Sequence, residues 1–320
     1  MNVGVLDDYQ NVAAQCADWS RLGPDARVRF FSTHVDDSDE LVAMLQPFEV
    51  LVAMRERTPF PAAVLARLPR LHLLVTTGMR NASIDLAACE RHGVTVCGTG
   101  SNPLLAAEQA WAMVMALHKQ IVANDHAVRR GAWQTGLGQT LSGLTLGVLG
   151  LGRLGAEMAR LGKAFGMDVI AWSPNLTPER CAPHGVQYVS KAGLFAQADV
   201  ISIHMVLTEQ THQLVGAAEL AAMKPSAYLV NTSRGGLVDE AALCRALADG
   251  LIAGAALDVF EREPLPADAP ILQAPNTVLS PHVGYASWQN YRTYYGDAIE
   301  DILAWQAGAP VRVLEPAQRP

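Results

Sequence analysis

From Leu144 onward the chain repeats one pattern, and that pattern restricts the fold more than any other feature. Short, almost unbroken apolar runs alternate with stretches of helical composition. The runs are "LTLGVLG", "DVIAW", "DVISIH", "AYLVNT", "GAALDV" and "NTVLSPH". A strand with no polar alternation has no face to give to water, so these runs belong in a sheet covered by helices on both sides. Strands alternating with helices predict a parallel α/β domain, and six of them suit two mononucleotide-binding halves. The first hundred residues carry a second series, "VGVL", "VRFF", "VLVAM", "LHLLVTT" and "VTVCG", with helical segments around 39–45 and 61–68. Between the two series the spacing predicts one long helix through "LLAAEQAWAMVMALHKQIVANDHAVRR", followed by the Gly-rich connection "GAWQTGLGQTLSG". The segment "WQNYRTYYGDAIEDILAWQAG" predicts a last helix that packs back on the first domain. A length of 320 residues is long for one core, so the two series predict two α/β domains.

Composition narrows the function classes. The net charge of −7 is scattered along the chain with no basic stripe, which argues against a nucleic-acid partner. Cys16, Cys89, Cys97, Cys181 and Cys244 are far apart and form no C-x-x-C pair; a reduced, cytoplasmic protein without a zinc site is the simplest account. The start "MNVGVLDDYQ" lacks the basic and apolar regions of a signal peptide, and no apolar stretch has the length that crosses a bilayer. No metal and no membrane partner are therefore expected.

"GLGRLG", positions 150–155, directly follows the strand "LTLGVL" and opens a helix with Leu154, Met158, Leu161 and Phe165 on one face. In this context Gly150 allows a tight turn, Gly152 lets a pyrophosphate approach the backbone, and Gly155 lets helix and strand pack closely. The pyrophosphate would rest on the free N–H groups of that helix start. The next strand ends in Ser173-Pro174-Asn175 instead of the acid that grips the ribose of NAD, and no arginine adjoins it to accept a 2′-phosphate; Arg180 is the nearest. A nicotinamide cofactor follows, NAD(H) or NADP(H), with a lean to NAD(H).

Ligands of doubly wound sheets bind beyond the carboxyl ends of the strands. There the late strands deliver Arg234 after "AYLVNTS", Asp258 and Glu263 after "GAAL", and His282 after "NTVLSP". A cation, a carboxylate and an imidazole on one edge suit hydride exchange at a carbinol carbon. His282 exchanges the hydroxyl proton, Glu263 sets its tautomer, Arg234 offers a planar fork to a substrate carboxylate, and Asp258 accepts from the nicotinamide amide.

"GLGRLG", "NTSRGGLVDEAAL", "ALDVFEREPLP" and "LSPHVG", in this order and spacing, resemble the D-isomer-specific 2-hydroxyacid dehydrogenases, over nearly the whole chain. The resemblance implies a Rossmann domain at 101–288 inserted in a flavodoxin-like substrate domain at 1–100 plus 289–320. It implies Arg234, Glu263 and His282 as the catalytic set. It places Arg153 and Leu154 beside the pyrophosphate, Ser173 near the ribose, and Asp258 and Gly284 near the nicotinamide, with Thr232 also counted as cofactor-binding. "TTGMRNASIDL" matches the family loop whose backbone, near Thr77 and Gly78, holds the substrate carboxylate, and Arg55 in "AMRERTP" is a candidate for the substrate's far end. A homodimer through the nucleotide domain is implied as well. Walls of the substrate pocket are expected around Met54, Met79, Trp133 and Trp288.

The expected activity is interconversion of a D-2-hydroxy acid and a 2-oxo acid, running as a 2-oxo acid reductase. The rival reading is a catalytically silent, NAD(H)-sensing binding protein of the same fold, because a fold does not guarantee turnover. His118 and His126 show no ligand spacing and are read as structural or solvated, His204 at the end of "DVISIH" is read either as a cofactor contact or as a hydrogen-bonded strand end, and "NTSRG" around Ser233 is not a hydrolase elbow.

Overall fold

A computed structural model describes residues 1–316. The chain divides into two compact units, one built from Met1–Asn102 and the residues from Ala286 on, the other from Pro103–Tyr285. The second unit is thus inserted in the sequence of the first.

Unit 1 carries β1 (Asn2–Val5), α1 (Ala13–Cys16), β2 (Arg27–Phe30), α2 (Ser38–Leu45), β3 (Val50–Ala53), α3 (Ala62–Leu65), β4 (Leu73–Thr76), α4 (Leu86–Arg91) and β5 (Thr95–Gly98). Its five strands are parallel in the order β2-β1-β3-β4-β5, the flavodoxin-like arrangement. The central strands β3 and β4 are buried on both faces, while the edge strand β2 exposes Arg27 and Arg29.

Unit 2 carries α5 (Leu105–His118), α6 (Ile121–Arg129), β6 (Thr145–Leu149), α7 (Arg153–Ala164), β7 (Asp168–Trp172), α8 (Pro178–Cys181), β8 (Gln187–Tyr188), α9 (Lys191–Gln197), β9 (Val200–Ile203), α10 (Ala217–Ala222), β10 (Tyr228–Asn231), α11 (Glu240–Ala248), β11 (Gly254–Leu257) and β12 (Thr277–Leu279). The order β12-β11-β10-β9-β6-β7-β8 reverses direction of travel at β6/β9, as in a dinucleotide-binding sheet. Successive strand residues point to opposite faces. Val148, Val200, Val230 and Ala256 enter a core with α5 and α7, while Leu149, Ile201, Leu229 and Leu257 enter a core with α9, α10 and α11.

The last helix, α12 (Trp288–Gln306), belongs to unit 1 and buries Tyr291, Tyr294, Tyr295, Ala298, Ile299 and Ile302, a stripe of helical period. Trp19 packs against Tyr295 with ring centroids 5.9 Å apart. Beyond the helix the chain returns along β5, where Gly98 N–H donates to Arg312 O and Leu314 N–H to Val96 O.

Two expectations need correction. The long helix of residues 104–130 is two helices, because Gln120 stands in the left-handed region (φ 50°), which no α-helix can contain. A seventh strand, β8, is two exposed residues long and offers no apolar run to detect. The stripe expected on α7 packs on one core: Met158 is fully buried there with Gly155, Ala159 and Gly162, Leu154 and Leu161 are partly buried against it, and Phe165, though exposed, lies against Trp111.

Candidate active site

The carboxyl end of β6 holds the glycine loop. Gly150 has φ 103°, and a Cβ there would press on the carbonyl of His204. A Cβ on Gly155 would overlap the carbonyl oxygen of Gly150, so only glycine lets the first turn of α7 lie against the strand. Gly152 differs from both. It caps α7 with φ −85°, and a Cβ there would meet nothing within 4 Å. The fold itself makes no demand for glycine at 152. The open space in front of the free N–H groups of α7 fits a pyrophosphate, with Arg153 exposed and Leu154 half-buried beside it.

At the end of β7, Ser173 is half-buried, and the guanidinium of Arg180 donates to the carbonyl of Asn175 at 2.8 Å. At the end of β9, the His204 ring is 2.8 Å from Ser202 Oγ, a local strand-end contact.

The turn after β10 presents Arg234. Asn231, buried at the strand tip, accepts from Ser233 N–H (3.0 Å) and donates to Arg234 O (2.9 Å). Ser233 Oγ donates to Ile203 O at 2.7 Å, so its hydroxyl pins the turn to β9. The half-buried Thr232 lies within this turn, and Arg234 donates to Ser233 O at 2.7 Å. A Cβ on Gly235 would overlap the backbone of Phe260, so that glycine lets the arginine turn touch the loop carrying Glu263.

The pair after β11 and β12 is the centre of the site. His282 Nδ1 is 2.6 Å from Glu263 Oε2, and the other carboxylate oxygen accepts from Phe260 N–H at 2.9 Å. Both side chains are 22 % exposed, enough for one edge of the imidazole to meet a substrate. Tyr285 packs edge-on against the imidazole at 5.9 Å. Asp258 is fully buried, and its carboxylate accepts from Ser280 Oγ, from Val283 N–H (3.0 Å) and from Gly284 N–H (2.8 Å). The acid assigned to the nicotinamide amide therefore already organises the loop around His282. Asn231, Gly235 and Ser280 carry no chemistry of their own, and only the structure shows their work.

In unit 1 the structure brings Arg55, Thr77 and Gly78 together. Arg55 N–H donates to Thr77 Oγ1 at 2.8 Å, and its guanidinium donates to Thr77 O at 3.3 Å and lies over Gly78, where a Cβ would collide with it. Asn81, which the sequence reading passed over, donates to Arg55 O and to Thr76 Oγ1, so it braces this loop. Both loop amides have partners: Thr77 N–H donates to Ala53 O (3.0 Å) and Gly78 N–H to Thr99 Oγ1 (2.8 Å). Met54 is buried beneath Thr77, whereas Met79, Trp133 and Trp288 are exposed. A cavity of about 480 Å³ lined by Tyr228, Ala253 and Thr277 lies at the amino ends of strands β10 and β12, the wrong edge for this chemistry.

Residues 111–284 match the model of the D-isomer specific 2-hydroxyacid dehydrogenase NAD binding domain. The chain belongs to this family. It is 35% identical over 297 residues to a glyoxylate reductase of Korarchaeum cryptofilum, covering 91% of this chain and 86% of that one. A phosphoglycerate oxidoreductase from Vibrio cholerae superposes with a TM-score of 0.89 at 38% identity, over 97% of this chain and 100% of that one. A D-lactate dehydrogenase from Aquifex aeolicus, solved with NAD and lactic acid, superposes with a TM-score of 0.78 at 27% identity, over 96% of each chain. As a 2-hydroxyacid dehydrogenase, the chain is an NAD(P)-linked oxidoreductase acting on a CH–OH group.

Proposed function

We propose that this dehydrogenase reduces a small 2-oxo acid to the D-2-hydroxy acid, with His282 as proton donor. The observation that carries the reading is the 2.6 Å contact between His282 Nδ1 and Glu263. A carboxylate at that distance holds the proton on Nδ1, which leaves Nε2 as the nitrogen that exchanges a proton with the substrate oxygen. Relatives named glyoxylate reductase support the direction and the small substrate.

The bound nicotinamide supplies the hydride. Gly150, Gly152 and Gly155 with Arg153 and Leu154 would hold its pyrophosphate, Ser173 its ribose, and Thr232, Asp258 and Gly284 the nicotinamide end. Arg234 would fork the substrate carboxylate and polarise the adjoining carbonyl. Arg55 would serve the substrate's far end, and the Thr77–Gly78 peptide its carboxylate; for that, Gly78 N–H must exchange Thr99 Oγ1 for the substrate. The lean to NAD(H) is supported by the direction of Arg180, whose guanidinium is turned to the Asn175 carbonyl.

We assign the protein to the cytoplasm and to a homodimer joined by its nucleotide-binding unit. The buried apolar run of α5 is core, so the supporting surface is α6 and the connection after it. Ile121, Val128, Trp133 and Leu137 are there 53%, 55%, 77% and 91% exposed. Sedimentation should give twice 34.3 kDa; a monomer would refute that assembly.

The test of function is oxidation of NADH and, separately, NADPH with glyoxylate, hydroxypyruvate, pyruvate and phenylpyruvate. Turnover on at least one is expected. Tight cofactor binding without turnover on any would favour a cofactor sensor instead.

A further inference from the structure

His282 occupies the left-handed region, φ 53°, which a residue bearing a Cβ avoids unless its surroundings impose it. The Glu263 contact fixes the ring but not the backbone. What imposes the backbone is a set of bonds on either side of His282. Before it, Ser280 Oγ bonds to Asp258 Oδ1, and Ser280 O accepts from His282 N–H at 3.1 Å. After it, Val283 and Gly284 both donate to the same buried carboxylate. From α5, Gln109 Nε2 reaches Ser280 Oγ at 3.0 Å. A serine hydroxyl has one proton. The amide N–H and the carboxylate therefore orient it without ambiguity: it accepts from Gln109 and donates to Asp258. The space is equally restricted, since a Cβ on Gly284 would sit 3.0 Å from Asp258 Oδ2 and 3.6 Å from Gln109 Cβ.

We propose that Gln109 and Ser280 are positioning residues that act through Asp258 to hold the His282 backbone in its left-handed conformation, and so aim Nε2. As a kinetic claim this rests on the function proposed above; as a claim about the loop it does not. Substitution of Ser280 by alanine removes the bond that joins Gln109 to Asp258, and deletes no side chain proposed to touch cofactor or substrate.

Two measurements test it. In cofactor-free protein, amide hydrogen exchange of a peptide covering 280–285 should be at least tenfold faster in Ser280→Ala than in wild type. Ser280→Thr, which keeps the hydroxyl, should restore slow exchange, and Gln109→Ala should fall between. Unchanged exchange in both alanine variants would overturn the proposal. In turnover, Ser280→Ala should lower kcat about tenfold or more, and Ser280→Thr should restore it. In a His282→Gln background Ser280→Ala should have no further effect, because it acts through that ring; an equal loss in both backgrounds would overturn the proposal. A wild type inactive on every 2-oxo acid would refute the functional reading alone, and the exchange result would still decide the loop.

Discussion

At the scale of single residues the proposed chemistry depends on how two side chains are aimed. Glu263 receives Phe260 N–H on one oxygen and faces His282 with the other, so its orientation is set before any substrate arrives. In Glu263→Gln the carboxamide can still accept from Phe260, but it then turns its NH₂ towards Nδ1 and favours the opposite tautomer. A hydrogen bond to a charged group contributes about 1.5–3 kcal/mol, and each 1.4 kcal/mol is tenfold in rate, so kcat should fall roughly 10- to 100-fold. Steady-state kinetics at saturating cofactor checks this, and a variant with wild-type kcat would remove Glu263 from the mechanism. Arg234, Glu263 and His282 were legible in the sequence because each follows a strand by only a few positions. Ser280 and Gln109 were not, because they are 171 positions apart and only the folded α5 brings them together.

At the scale of elements, the glycine loop separates what the fold requires from what a ligand would require. The motif was legible from its strand-loop-helix context, but the different demands at its three glycines needed the neighbours of each one. Gly155→Ala drives a methyl into the Gly150 carbonyl and should lower Tm markedly or prevent folding. Gly152→Ala meets open space, so Tm should stay close to wild type while the Kd for NADH rises about tenfold or more. Thermal melts with fluorescence titration of the same two proteins decide it, and unchanged cofactor binding in Gly152→Ala would move the pyrophosphate elsewhere. The same limit on reading applies to helices. Composition from 104 to 130 is helical throughout, and nothing in it marks Gln120 as the residue that turns left-handed. Strand β8 escaped because Gln187 and Tyr188 are both exposed and carry no apolar signal.

At the scale of the whole molecule, stability should depend on pH through unit 1. Burial pushes the carboxyl of Asp301 from its ordinary 3.8 up to about 7, against the opposing pull of Arg312, whose Nε is 3.0 Å from Oδ1. Its Oδ2 has no hydrogen-bond partner among the described residues, which agrees with a carboxyl that keeps its proton. A group raised on folding takes up a proton in the folded state. Its contribution to stability is therefore complete below 3.8 and is lost as pH rises through about 7. His34, raised by its hydrogen bond to Asp7, has the same sign: its contribution is complete below 6.5 and is lost as pH rises through its higher folded value. The imidazoles of His204 and His118, lowered by burial, have the opposite sign below pH 6.5, so Asp301 is isolated by a difference: between pH 4 and 7 the Tm of the wild type should decline relative to that of Asp301→Asn, which has no charge to bury. Equal slopes in the two proteins would contradict the buried protonated carboxyl.

The central claim is that β12 exists to present an imidazole that exchanges a proton with the substrate oxygen. It is tested most directly by comparing wild type and His282→Gln in NADH-dependent glyoxylate reduction, with cofactor binding followed by fluorescence. The account predicts that kcat falls about 10²- to 10⁴-fold, as expected when a general acid is removed, while the Kd for NADH changes less than threefold. A variant that reduces glyoxylate at the wild-type rate would contradict it.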